Sequence, residues 1–176
     1  GLAPVIPGAD PLGPGALTAR GDPYLTGTVY EKSALDLALW DLAGPAAGLP
    51  LHALLGGRRQ IALPLYHSIT CVAPEEMARI ARDAVNGGMT QIQVKLGADA
   101  SVEADIARLV QVREAVGPGP LVYGDWNCGS TQLDATRVGR AVAHLDVMLE
   151  QPCATMAECA AVRAATPLPM KLDELA

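Results

Sequence analysis

Short apolar runs that end on a charged residue set the rhythm of the chain after Gly56-Gly57. IALPLY, QIQVKL, PLVYGD, DVMLE and PMKLD alternate with longer amphipathic stretches near 74–87, 101–116, 131–143 and 155–165. Strand and helix in turn, at roughly 25 to 30 residues per unit, is the pattern of βα repeats with a parallel sheet. Lys95, Asp125, Glu150 and Asp173 close four successive runs. In a (β/α)8 barrel such ends converge on one mouth, where active sites sit. An open doubly wound sheet would instead set them in a row, ~4.8 Å per strand. The expected fold is therefore α/β, a (β/α)8 TIM-type barrel with its first five strands present.

The amino-terminal side reads differently. Residues 1–28 carry Pro4, Pro7, Pro11, Pro14 and Pro23 with six glycines, a composition expected of a loop or linker. EKSALDLALWDLAGPAAG then places Leu35, Leu39 and Leu42 at helical spacing, with Ala34 and Ala38 beside them and Trp40 on another face. That is a helix apolar on more than one side, buried or at an interface. Pro45 after Gly44 is expected to end or kink it.

Composition narrows the function classes. Half of the 176 residues are hydrophobic, 18% are charged and Phe is absent, which is globular composition for one core or part of a larger one. A net charge of −6 without a basic stripe argues against nucleic acid as a partner. No apolar run reaches 18 residues, so no membrane-spanning helix is expected. The start lacks a basic n-region and is broken by Pro and Gly, unlike a signal peptide, and the missing initiator Met suggests an excerpt. Cys71, Cys128, Cys153 and Cys159 form no CxxC pair and read as inert free thiols of a cytoplasmic protein.

Two Asp and one Glu at consecutive strand ends supply hard oxygen ligands suited to Mg²⁺. No His accompanies them, which disfavours zinc. Lys95 lies one strand earlier, where a cation and a low-dielectric mouth would favour a neutral amine able to act as a base; the alternative is a Lys that only pairs with the carboxylates. Within VYGDWNCG, Asp125 would face inward and Asn127, two residues on, would share its side or orient it. Trp126 would wall the pocket or pack between barrel and helix. His67 and Ser68 are placed just after the first strand, at the same mouth, touching substrate or capping the next helix. Tyr66 would turn outward by alternation. Lys171 would share the inward side of Asp173, one layer deeper and paired with a carboxylate. Glu174 is the reserve ligand for a register shifted by one.

These residues resemble the enolase superfamily, in its mandelate racemase and muconate lactonizing enzyme branch. KSALDLALWDLAG is similar to the helix that closes the family's α+β capping domain, QVKLG to its second-strand Lys motif, and GDWN, LEQP and KLDE to its three metal-ligand strands. The resemblance runs from about residue 28 to residue 176. It implies a division into 1–58, the end of a capping domain with its linking helix, and 59–176, the first part of the barrel. It also implies Mg²⁺ on Asp125, Glu150 and Asp173, with Lys95 removing the proton next to a substrate carboxylate.

Within the superfamily, LYHSITC, TQIQVKLG, VYGDWNCG and LEQPC look like the cis-3-hydroxy-L-proline dehydratases, and less closely like the hydroxyproline betaine epimerases. The first implies a Mg²⁺-dependent lyase that forms Δ1-pyrroline-2-carboxylate from a small imino acid; the second implies return of the proton on the opposite face. Gln93 stands where the family often has a second Lys, and the family's opposing Lys would lie past Ala176. The full-length protein is expected to be an enzyme and a homo-oligomer, and the 176-residue piece inactive alone. The competing class is a non-catalytic assembly module using the ALDLALW helix, which would require no charge at the strand ends.

Overall fold

Two units divide the chain, Gly1–Leu63 and Pro64–Ala176. The computed structural model describes residues 6–24, 27, 29–99 and 101–176. The linker expected over 1–28 lies outside the described residues at 1–5, 25, 26 and 28, and is overturned in part elsewhere. Pro14 opens helix α1 (Pro14–Gly21), which is followed by a 3-10 turn, Asp22–Tyr24. The proline occupies the first helical position, where its missing N–H costs nothing, and Ala16, Leu17, Ala19 and Arg20 are good helix formers with Leu17 buried.

Helix α2 (Val29–Ala47) runs through Pro45 instead of stopping at it. The proline lies in the last turn, so only one intrahelical bond is lost. The end is closed by Gly48 at φ +65°, with Gly48 N–H donating to Pro45 O and Leu49 N–H to Gly44 O, both at 3.1 Å, a Schellman arrangement. Leu39 and Ala43 make its buried stripe, whereas Leu37 and Leu42 are exposed within this unit. Helix α3 (Leu51–Leu54) completes the unit.

In the second unit every strand is parallel and the sheet order follows the chain, β1-β2-β3-β4-β5. The elements are β1 (His67–Ile69), α4 (Pro74–Asn86), β2 (Gln91–Lys95), α5 (Val102–Val116), β3 (Leu121–Asp125), α6 (Gln132–Ala141), β4 (Met148–Glu150), α7 (Met156–Ala165) and β5 (Met170–Lys171). A doubly wound sheet reverses its strand order; this one never does, so right-handed crossovers place the helices on one side, as in a (β/α)8 barrel. The helices start where their chemistry says: Pro74 with Glu75 and Glu76 opens α4, and the hydroxyls of Ser101, Thr131 and Thr155 accept backbone N–H groups at the starts of α5, α6 and α7.

The strand expected at IALPLY is displaced to His67–Ile69. Pro64 interrupts the earlier run, and Ile61, Leu63 and Leu65 are exposed. Ile69, Ile92, Val94, Val122 and Leu149 face the helices and are fully buried. Gly124 on β3 lets α5 approach: a Cβ there would stand 2.6 Å from Leu96 and 3.0 Å from Leu109. No helix among the described residues is long and apolar enough to cross a membrane.

Candidate active site

Strand pairing decides which side chains share a rung. Lys95 lies beside Asp125, Asp125 beside Glu150, and Glu150 beside Lys171. Alternation turns these four away from the helix-facing residues. One rung below, Gln93 lies beside Tyr123, and Ser68 beside Gln93.

Asp125 and Glu150 are 0% and 1% exposed, so two carboxylates sit one strand spacing apart almost without water. Such a pair needs compensation. Gln93 spans it, its Nε2 donating to Asp125 Oδ2 and Glu150 Oε2, both at 2.9 Å. Lys95 Nζ reaches Asp125 Oδ2 at 2.5 Å, and Lys171 Nζ reaches Glu150 Oε1 at 2.5 Å. Burial pulls the Lys171 ammonium toward neutrality, but the hydrogen bond and charge of Glu150, with Asp173, outweigh it and hold its pKa above the usual lysine value.

Beneath Lys171 lies an aromatic floor. Its Nζ stands 4.6 Å from the Tyr123 ring centre and 5.8 Å from that of Tyr66, within cation–π range. Tyr123 is buried, and desolvation with the neighbouring negative groups pushes its phenol pKa up. Tyr66 therefore lies on the interior side, 6.1 Å from Tyr123 between ring centres, contrary to the outward turn expected; it precedes β1, so strand alternation does not govern it.

The turn after β3 answers for Asn127. Its N–H donates to Asp125 Oδ1 at 2.8 Å, its Oδ1 accepts from Lys95 Nζ at 2.7 Å, and its Nδ2 donates to Glu174 Oε1 at 3.1 Å. Asn127 and Cys128 have φ of 46° and 68°, a left-handed pair that folds the turn back over the carboxylate. Trp126 packs on the helix side: its Nε1 donates to Asp105 Oδ2 at 2.9 Å, and its ring lies 3.0 Å from where a Cβ on Gly97 would be.

Four placements depart from a simple ring of strand ends. His67 and Ser68 lie within β1, not past it, because the strand starts later; His67 shares the side of Ile92, and only Ser68 shares the inner face. The β4–β5 register sets Lys171, not Asp173, beside Glu150, so Lys171 lies on the carboxylate rung and is half exposed. Asp173 is exposed in the loop two residues beyond β5. Among the described residues no three His, Cys, Asp or Glu side chains converge closely enough to hold a metal.

Two networks escaped sequence reasoning. Asp105 on α5 accepts from Gly97 N–H, Trp126 Nε1 and Arg108 Nη1, while Arg108 Nε donates to Val72 O and its Nη2 pairs with Asp99. The segments after β1, β2 and β3 are thereby tied behind the site. Gln151, fully buried, is the other. The only signal in sequence was polarity where an apolar residue would serve, on α5 and directly after Glu150. All four cysteines are free thiols, with Cys153 and Cys159 buried.

The donor chemistry fits a hard divalent cation at two of the three expected carboxylates. Asp125 and Glu150 are acceptor-only when ionised, adjacent and buried, and the charge opposing them comes from Lys95 and Lys171, whose side chains are partly exposed to solvent.

Residues 76–176 match the family of enolase C-terminal domain-like proteins, and residues 1–56 match the N-terminal domain of mandelate racemase / muconate lactonizing enzymes. The chain belongs to the mandelate racemase/muconate lactonizing enzyme family. It is 42% identical, over 99% of its length, to the cis-3-hydroxy-L-proline dehydratase of Roseibium aggregatum, of which it covers 47%. Among solved structures it resembles the N-succinyl Arg/Lys racemase of Bacillus cereus, at TM-score 0.86 and 28% identity over 99% of this chain and 48% of that one. A Roseovarius nubinhibens member of the family, complexed with magnesium, matches at TM-score 0.78 and 34% identity over 99% of this chain and 49% of that one. The chain thus spans about half the length of the relatives it matches. The Roseibium and Bacillus relatives are by name enzymes of small molecules, and the five parallel strands are part of a TIM-type barrel.

Proposed function

We propose that the full-length protein is a Mg²⁺-dependent hydro-lyase that converts cis-3-hydroxy-L-proline to Δ1-pyrroline-2-carboxylate. The observation that carries this is the Lys95 amine set against the buried Asp125–Glu150 pair, in a chain 42% identical to a dehydratase of that substrate. Asp125, Glu150 and Asp173 would hold the Mg²⁺, which supplies positive charge to a substrate carboxylate as negative charge builds there. Gln93 keeps the two buried carboxylates at a fixed separation. Lys95 Nζ, steadied by Asn127 Oδ1, takes the Cα proton, and the C–H electron pair moves toward the carboxylate. That pair then returns to form the Cα=Cβ bond as the C–O bond breaks; the 3-hydroxyl leaves with the C–O pair and a proton from solvent, as water, the Lys95 ammonium returns its proton to solvent, and the enamine tautomerises to the cyclic imine. Ser68 lines the same interior face beside Gln93.

A second reading is epimerisation. It is favoured by Lys171, a second amine two strands across from Asp125, and by the racemase likeness above. Incubation of the full-length protein with Mg²⁺ and cis-3-hydroxy-L-proline in D₂O, followed by proton NMR, separates the two. Pyrroline formation that falls about 10²–10⁴-fold in Lys95→Ala is the expected result. Exchange at Cα without product would move the function to epimerisation, and neither signal from a folded, Mg²⁺-loaded protein would refute the substrate.

A further inference from the structure

Asp173 lies beyond the last ladder pair of β5, yet it is not left to the loop. Its backbone N–H donates to Gln151 Oε1 at 3.0 Å, and the N–H of Leu175 donates to the same oxygen at 3.3 Å. Gln151 has no exposed surface and a φ of 35°, a left-handed conformation unusual for a residue with a Cβ. All of its polar groups are used. Its N–H donates to Lys171 O at 3.1 Å, its carbonyl accepts from Cys128 N–H at 2.9 Å, and its Nε2 donates to Cys153 O at 3.0 Å. One residue therefore joins three segments: its backbone carbonyl holds the turn after β3, and its side chain bridges the turn after β4 and the loop after β5.

We propose that Gln151 is a positioning residue that fixes the backbone of the Asp173 loop, from which the exposed Asp173 carboxylate turns in to share a cation with Asp125 and Glu150. Its amide is anchored on the β4 side by Cys153 O, so the oxygen it presents is fixed, and two N–H groups of the Asp173–Leu175 loop hang from that oxygen. An apolar side chain of the same length would fill the space and leave both N–H groups without their acceptor. This rests on the reading of the site as a Mg²⁺ centre.

The test is Mg²⁺ titration calorimetry on the full-length protein and on Gln151→Met, Asp173→Asn and the double variant. Gln151→Met is expected to weaken Mg²⁺ about 10–100-fold, the usual effect of removing a partner behind a ligand. In the Asp173→Asn background the same change is expected to add nothing, because its effect passes through Asp173. Unaltered affinity in Gln151→Met, or two losses that simply multiply, would overturn the assignment while leaving the metal centre intact. A natural protein that takes up no Mg²⁺ would sink the metal centre and this inference with it. Should Gln151→Met not fold, amide hydrogen exchange on the natural protein decides: Asp173 and Leu175 protected relative to Glu174 supports the anchor, and equal exchange at all three refutes it.

Discussion

Burial sets the reactivity of the thiols. Cys153 is without exposed surface, and burial, reinforced by Cys159 and Glu158, moves its pKa from 9.0 up to about 11. Because the folded value is raised, the stability it contributes is complete below about pH 9 and is lost as pH rises toward 11. Iodoacetamide at mildly alkaline pH should therefore label half-buried Cys71 in the folded protein and Cys153 only after unfolding, as read by peptide mass spectrometry. Labelling of both at one rate would contradict this. At this scale the side-by-side placement of Lys95, Asp125 and Glu150 is legible in the sequence, because a charge at the end of an apolar run is costly to bury and needs a reason. Lys171 as the partner of Glu150 was not legible on its rung, since register is settled by pairing between strands. Gln151 and Tyr66 were missed for a related reason: their contacts come from turns whose paths the sequence does not spell out.

Among the elements, α5 is fastened at both ends by buried arginines. Arg108 serves the mouth, and Arg113 the opposite end, where its guanidinium donates to Pro120 O at 2.9 Å, to Asp146 O at 3.0 Å and to Gly117 O. Those carbonyls belong to the segments entering β3 and β4. Arg113→Met would leave them without donors and should lower stability by about 1–3 kcal/mol in urea denaturation, with no change in Mg²⁺ affinity. A loss below a few tenths would show the clamp to be idle. The four helices of this unit match their amphipathic stretches closely because Pro, Ser and Thr caps announce their starts. Helix α1, the end of α2 and strand β1 depart from the sequence expectation because proline acts by position and not by presence: Pro14 initiates, Pro45 is tolerated at a helix end, and Pro64 interrupts.

For the whole molecule the edges of the sheet matter most. Among the described strands β1 pairs only with β2, and β5 only with β4, so two edges carry unpaired backbone groups. The 176-residue chain on its own should therefore self-associate at micromolar concentrations, visible by size-exclusion chromatography with light scattering. A monodisperse species of 18.2 kDa would refute that. The unbroken strand order has a consequence for biosynthesis. Each strand finds its hydrogen-bonding partner in the one the ribosome delivered just before it, so the sheet can lengthen at its growing edge during translation without waiting for distant sequence. Lys95, Asp125 and Glu150 would then meet in the order of their synthesis, and the buried acids would acquire their compensating cations as the sheet is laid down.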